Sequence, residues 1–417
     1  MNLTGRAARR CGGALLAALT MAPAAQAGLW TLDNSMEVRL QSNDNYELTP
    51  PGLGGIGPVA TLALTDSFSA ARQTERSATR VDGALTGLLL RGGIHQGQAD
   101  GRLAIAQQLS TERDHWNLGL NFVQDTTLDA TLSGTDLLLG QGRRRSSIAS
   151  AGWTHQLDER LSVQARTSWS RTDYAQELTQ AEDYASADFA GSAQYQLDER
   201  DALTLQLDHS PYHTLSGSAR STTDSLGLGG SRELSERAQL SVNLGAYETR
   251  VSNLLQTLAC PLQAIFCQAG LLPYVEVPLT LGSTARGLQY SAAYRWQFDE
   301  RTSINLTAGR QTLPTGAGAV ARTDTLSAAF SHAFTPELSL DASYVRTHAA
   351  FDGVTPDAQP TLQTLKVTLS HALTPSLNLR LEGQRLESAF AGPTPAAHQD
   401  LITVALKLDW PRSAPSH

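Results

Sequence analysis

Few residues in this chain have types and spacing that could do chemistry. Asp208-His209-Ser210 sets an acid, a base and a nucleophile in three consecutive positions. A hydrolase needs such groups to converge on one point. In an extended segment, however, adjacent side chains point to opposite faces, so His209 and Ser210 cannot form a dyad. No other histidine has a recognisable serine and acid to serve it, so the expectation is no enzyme and no catalytic residue. Cys260 and Cys267 are the cysteines left beyond a basic leader. In an oxidising compartment a disulfide between them is expected, with two free thiols as the alternative. A metal pair is discounted because no histidine or third cysteine lies near, so neither metal nor cofactor is expected.

The remaining candidates are charges. Arg166, Asp188, Asp208, Arg295, Asp341, Lys366, Arg380, Glu382, Lys407 and Asp409 all fall on the polar side of alternating segments. Mixed charges at that spacing would line a polar channel and set its solute preference, or would pair across the interior and fill it. Arg143-Arg144-Arg145 is a cationic run that could bind lipid phosphates or simply be solvated.

Strands must position these residues. After Arg160, Leu161, Val163, Ala165, Thr167 and Trp169 alternate with Ser162, Gln164, Arg166 and Ser168. Leu288, Tyr290, Ala292, Tyr294, Trp296 and Phe298 alternate with Gln289, Ser291, Ala293, Arg295 and Gln297. Near the end, Ile402, Val404, Leu406, Leu408 and Trp410 alternate with Thr403, Ala405, Lys407 and Asp409. Period two means strands with one oily and one wet face.

Short polar turns punctuate the alternation. Asp158-Glu159-Arg160 recurs at Asp198 and Asp299, with variants starting at Ser235, Thr74, Thr111, Thr335 and Thr374. Such turns join antiparallel neighbours. Three residues before five of them stand His155, Tyr195, Trp296, His332 and His371; one residue before stand Leu157, Leu197, Phe298, Phe334 and Leu373. Amphipathic rings at one height are what a membrane interface asks for. The opposite ends are expected to be long loops, among them Glu47–Ala60, Gly92–Asp100, Pro211–Thr222 and Ser252–Arg286. The last holds both cysteines and is unusually apolar. It is expected to fold into the lumen or cap the mouth, with a helix within Leu254–Phe266 fitting either placement; a partner contact is the alternative. Adding a first strand at Glu37–Tyr46 and a last at Leu401–Trp410 gives about eighteen strands, with sixteen as the alternative.

The fold expected is all-β: a transmembrane antiparallel up-and-down barrel with short periplasmic turns and long external loops. No run of 18 apolar residues offers a transmembrane helix. Charged residues are only 17% of the chain, which suits alternation of apolar with uncharged polar residues. Residues 1–27 read as a cleavable secretory signal: Arg6, Arg9 and Arg10, an apolar core from Cys11 to Leu19, then Ala25-Gln26-Ala27. Cys11 follows two arginines and is no lipoprotein cysteine. Residues 28–417 then form one barrel domain. Without the three leader arginines, the 32 basic residues fall to 29 against 40 acidic ones, a net charge of −11. That balance argues against nucleic acid as a partner. The expected location is the bacterial outer membrane. The expected partners are its lipid and lipopolysaccharide and the barrel-assembly machinery.

The turns at Asp158, Asp198 and Asp299, with Ser42-Asn43-Asp44-Asn45 near the end of the first strand, give the chain a loose resemblance to a known family. It resembles the outer-membrane proteins associated with exopolysaccharide and PEP-CTERM/exosortase loci. That resemblance implies a role in surface polysaccharide export or assembly, and it brings no catalytic residues. The functional expectation is a transport channel, for small solutes or a surface polysaccharide. The alternative is a non-conducting barrel that holds an exopolysaccharide or surface-protein system in place.

Overall fold

The computed structural model describes residues 30–46, 48, 51–52, 57–92, 96–126, 142–175, 182–259, 275–314, 320–351, 360–390 and 396–410. Its elements are eighteen strands: β1 (Trp30–Asn43), β2 (Val59–Gln73), β3 (Ser77–Gly92), β4 (Gln96–Ser110), β5 (Asp114–Thr126), β6 (Arg143–Gln156), β7 (Leu161–Tyr174), β8 (Tyr184–Gln196) and β9 (Asp201–Thr214), then β10 (Ala219–Ser235), β11 (Ala238–Ala259), β12 (Val275–Gln297), β13 (Thr302–Pro314), β14 (Val320–Ala333), β15 (Leu338–Phe351), β16 (Pro360–Thr374), β17 (Leu377–Phe390) and β18 (Ala397–Asp409). Each pairs antiparallel with its neighbours in sequence, and β1 pairs with β18 from Ser35↔Asp409 to Asn43↔Leu401. The sheet is closed on itself, as the alternation required. The first and last strands begin earlier than expected, at Trp30 and Ala397.

One device makes the turns. Asp158 Oδ1 accepts the backbone N–H groups of Arg160 at 2.7 Å and Leu161 at 2.8 Å. Asp198 does the same for Arg200 and Asp201, and Asp299 accepts from Arg301 at 2.8 Å. Thr74, Thr111 and Thr335 use Oγ1 to accept from Ser77, Asp114 and Leu338. Ser235 and Thr374 accept from Arg237 and Ser376. An Asp, Ser or Thr oxygen that takes the N–H two or three residues on mimics a backbone turn. This explains why sequences as different as D-E-R and T-P-S occupy equivalent positions.

The opposite ends depart from expectation. β9 and β10 are joined by Leu215–Ser218 alone, where a loop over Pro211–Thr222 was expected. Gly217 takes φ +78° there and donates to the Thr214 carbonyl at 3.0 Å. The expected loop at Gly92–Asp100 is strand from Gln96 onward. Most of the expected loop Ser252–Arg286 is also strand: β11 runs on to Ala259 and β12 starts at Val275, paired from Ala238↔Trp296 to Ala259↔Val275. Residues 254–259 are therefore extended, not helical. Apolar residues in that segment suit a hairpin as well as the lumenal, capping or partner-contacting loop expected. Cys260 and Cys267 lie outside the described residues, as do residues 1–29.

The two faces differ as the pleat demands. Leu85, Leu228, Leu288 and Ile402 point outward and are 66–71% exposed. Leaving a leucine in water rather than an apolar surround forfeits about 1.5–3 kcal/mol, so this exterior is stable against lipid and unstable against water. Side chains buried against protein gather on the inner face near the loop end, including Thr323, Thr249 and Leu386.

Two outcomes are expected. In unfolding titrations, Val242→Arg, which puts a charge in the outward leucine band beside Leu244, should cost about 2–4 kcal/mol. Thr307→Arg on the inner face should cost much less. The second outcome concerns the turns. Backbone N–H donors of Arg200 and Asp201 hold the Asp198 carboxyl below the usual carboxylate range, and that of Arg301 does so at Asp299. A carboxyl depressed on folding stabilises fully above its unfolded value of about 3.9 and loses that contribution as pH falls through its folded value. The double variant Asp198→Asn with Asp299→Asn keeps the acceptor oxygens without the titration. Its urea midpoint should match the parent at neutral pH and fall less steeply on acidification.

Candidate functional site in the barrel lumen

Directly opposed residues in an antiparallel ladder share a face, so the register places every candidate charge. Arg166 stands opposite Gly152 and Ala190, Asp188 opposite Ser168, and Asp208 opposite Ala190 and Ser225. Arg295 stands opposite Gln239 and Asn305, and Asp341 opposite Ser331 and Thr368. Lys366 opposes Ser343 and Gln384, Glu382 opposes Thr403, and Arg380 opposes Ala405. Lys407 and Asp409 oppose Glu37 and Ser35. All lie on the face opposite the exposed leucines, inside the barrel.

They do not form one cluster. Lys366 Nζ lies 2.9 Å from Glu382, Arg380 reaches Glu37 at 3.0 Å across β18, and Lys407 Nζ lies 2.7 Å from Asp409. The acids elsewhere are held by neutral donors. Asp188 accepts from Ser210 at 2.6 Å and Ser168 at 3.2 Å, Asp208 from Gln206 and Ser225, and Asp341 from Ser331 at 2.7 Å. Among the described residues, Arg166 and Arg295 have no acid within ion-pair distance. Among the described residues the lumen therefore carries ion pairs together with two arginines, Arg166 and Arg295, that stand outside them.

A cavity of about 760 Å³ lies against this face between β9 and β16. Its walls mix uncharged polar side chains, among them Gln206, Asn243, Gln289, Ser291, Thr307 and Thr325, with small and apolar ones such as Gly245, Ala293 and Val345. Of the candidate charges only Asp208 lines it. Asp341 and Lys366 line a smaller cavity of about 230 Å³ with Ser331 and Thr368. The uncharged residues were passed over because charge guided the sequence analysis. The signal that finds them is strand parity alone.

Asp208-His209-Ser210 is dispersed as the pleat predicts. Ser210 donates inward to Asp188, whereas His209 points outward and meets Asp224 at 2.7 Å. No trio assembles. His155, Tyr195, Trp296, His332 and His371 all point outward near the turn end. Trp153 and His155 stack at 5.6 Å, Trp296 packs on Phe298 at 3.5 Å, and His332 meets Phe334 edge-on at 4.7 Å. The residues just before the same turns, Leu157, Leu197, Phe298, Phe334 and Leu373, are 43–47% exposed, a near-constant environment round the barrel. The run Arg143-Arg144-Arg145 splits between faces. Arg144 turns inward, 5% exposed, and pairs with Asp125 at 2.7 Å. It is thus withdrawn from any lipid role. Arg143 reaches Asp100 and Arg145 reaches Gln124.

A closed wall, a lipid-compatible exterior and a polar interior fix the class. The chain is a transmembrane β-barrel. Only closed sheets and helices satisfy the backbone within hydrocarbon, and barrels of this build stand in the Gram-negative outer membrane. No family profile and no curated sequence matches the chain. Among solved structures it is similar to Pseudomonas aeruginosa OpdL, at 12% identity over 92% of this chain and 99% of that one, with a TM-score of 0.45. It is also similar to P. aeruginosa OccK2 (OpdF), described in complex with glucuronate, at 13% identity over 91% and 98%, TM-score 0.46. The Escherichia coli ferric-catecholate import receptor Fiu gives 9% identity over 93% and 82%, TM-score 0.48. Likenesses this slight fix neither fold nor solute, and the barrel assignment rests on the ladders.

The unpaired lumenal guanidinium groups lead to one expectation. Replacing Arg166 and Arg295 by glutamine should move ion selectivity toward cations, read as a shift of the reversal potential across a bilayer under a salt gradient.

Proposed function

We propose that this barrel is a channel for small polar solutes across the outer membrane. One observation carries the reading: the wall is closed by the β1–β18 ladder and holds a cavity of about 760 Å³ where amides and hydroxyls alternate with small apolar residues. Such a lining exchanges hydrogen bonds with a hydrated solute without binding it tightly, which conduction requires. For so many strands, side chains alone do not fill the interior.

Burial of inner-face residues near the loop end, such as Ala321, Thr323 and Leu386, supports small solutes over a polymer. A polysaccharide chain needs an unbroken wide path. The export role implied by the resemblance to exopolysaccharide-associated proteins is the less supported form of this proposal. In the same reading, the outward His, Tyr and Trp side chains near the turns anchor the periplasmic interface, and the leader directs export before barrel assembly.

Reconstitution of the purified full chain in planar bilayers tests the proposal. Stepwise conductance is expected. Folded protein, shown by heat-dependent electrophoretic mobility, that inserts without conductance would overturn the channel in favour of the scaffold alternative.

A further inference from the structure

The β12–β13 ladder, with eight pairs, is the shortest of the seams; the β4–β5 ladder also stops short of its strand ends, at Gly101↔Gln124, but by fewer residues. The β12–β13 ladder runs from Gln297↔Ser303 only to Tyr290↔Arg310. Both strands continue beyond that pair. β12 extends to Val275 with β11 as partner, and β13 extends to Pro314 paired only with β14, through Gln311↔Thr323 and Pro314↔Val320. On the other side of the same hairpin, β10 and β11 stay zipped up to Ala219↔Asn253. The wall therefore splits where Arg286–Gln289 and Gln311–Pro314 could have paired and do not. Among the described residues no other strand takes those edges.

The split coincides with the cavity. The residues that line the lumenal cavity between β9 and β16 include Gln289, Tyr290, Arg310 and Gln311, which are the last paired positions and the first unpaired ones. Unpaired backbone is tolerated at membrane depth where it lines a water-filled space, and this edge meets that condition. The outer margin of the split has a definite chemistry. Leu288, 70% exposed, stands at the β12 edge of the split as an apolar lip, with Leu244, 63% exposed, beyond it on β11. Just above it, Arg286 is held by Glu248 at 2.7 Å and remains 77% exposed. Arg310 is held by Asp324 at 2.6 Å, with its guanidinium 5.6 Å from the Tyr290 ring centre. Leucine below arginines, each tied to an acid on the strand beyond, makes an amphipathic edge where an anionic head would share the guanidinium groups with Glu248 and Asp324 while an acyl tail lies on the leucine.

We propose that the β12–β13 split is a lateral portal that exchanges anionic amphiphiles between the lumen and the outer leaflet. This rests on the reading of the lumen as a water-containing channel. Its two halves have separate functions: the cavity keeps the head hydrated, and the lip lets the tail reach lipid without crossing the wall.

The test uses the full chain in lipid nanodiscs with a photoreactive analogue of laurate. Labelled peptides are located by mass spectrometry. Labelling should concentrate on Arg286–Ser291 and Gly309–Thr312. A double variant, Leu288→Cys with Thr312→Cys, on the outward face and outside the cavity lining, in a background carrying Cys260→Ser and Cys267→Ser, allows a bis-maleimide to bridge the split. Bridging should lower that labelling at least tenfold and leave single-channel conductance within twofold. Arg286→Gln with Arg310→Gln should lower labelling by the laurate analogue several-fold and leave that by an uncharged dodecanol analogue unchanged, which keeps the test open if the cysteine variant misfolds. Labelling spread evenly round the exterior, or unaffected by the bridge, overturns the portal. Loss of conductance on bridging also overturns it, because the split would then be part of the main path. A parent without conductance defeats the channel reading separately, and the labelling pattern still reports on the split.

Discussion

Every feature of this barrel follows from the need to satisfy backbone hydrogen bonds where water is absent. A sheet edge in hydrocarbon leaves several kcal/mol unmet at each group, so β1 must find β18 at the far end of the chain. The ladder from Ser35↔Asp409 to Asn43↔Leu401 does this. The side chains around it add to the closure. Glu37 on β1 reaches over β18 to Arg380 on β17, and Lys407 and Asp409 stand beside it on the same inner face. The ion pairs are partly exposed, so each contributes modestly. Their place is informative because they span the joint formed by the most distant segments of the chain.

Closure by neighbour-to-neighbour pairing makes such a chain readable. All but one of its ladders join strands consecutive in sequence, so alternation and turn position suffice to lay them out. The turns are legible because one chemistry makes them all: a side-chain oxygen at Asp198 or Thr335 captures an N–H two or three residues on. Parity from each turn then assigns a face to Arg166 or Glu382 without any knowledge of tertiary contacts. The same parity separates Asp208 from His209.

What was illegible has physical causes. Strand length at the loop end depends on how far a hairpin stays paired above the bilayer, and no periodicity marks that limit. Apolar residues around Leu254 and Leu258 suit a plug and a tall hairpin alike. Consecutive arginines suggest one patch, yet the pleat sends Arg144 inward to Asp125 and leaves its neighbours on the other parity. Asp224 escaped notice because its partner, His209, lies on the preceding strand, and only register brings them within 2.7 Å. The cavity lining was missed because Gln206, Asn243 and Ser291 are too common to stand out individually; they become a site when adjacent strands present them together.

The β12–β13 split and the lumen are linked by the same hydrogen-bond constraint that closes the barrel. Beyond Tyr290↔Arg310, β12 and β13 no longer pair, and Gln289 and Gln311 are the first residues past the end of the ladder. Both side chains face the lumen, and the only ladder partner either has at that height is on its other side. A gap in an otherwise closed sheet needs solvent for its exposed N–H and C=O groups, and the polar cavity beside Gln289 and Gln311 can supply it. A dry or filled lumen would leave those groups unsatisfied, whereas a hydrated one lets the wall open at this place. The proposed opening and the proposed water-containing lumen thus stand on one requirement.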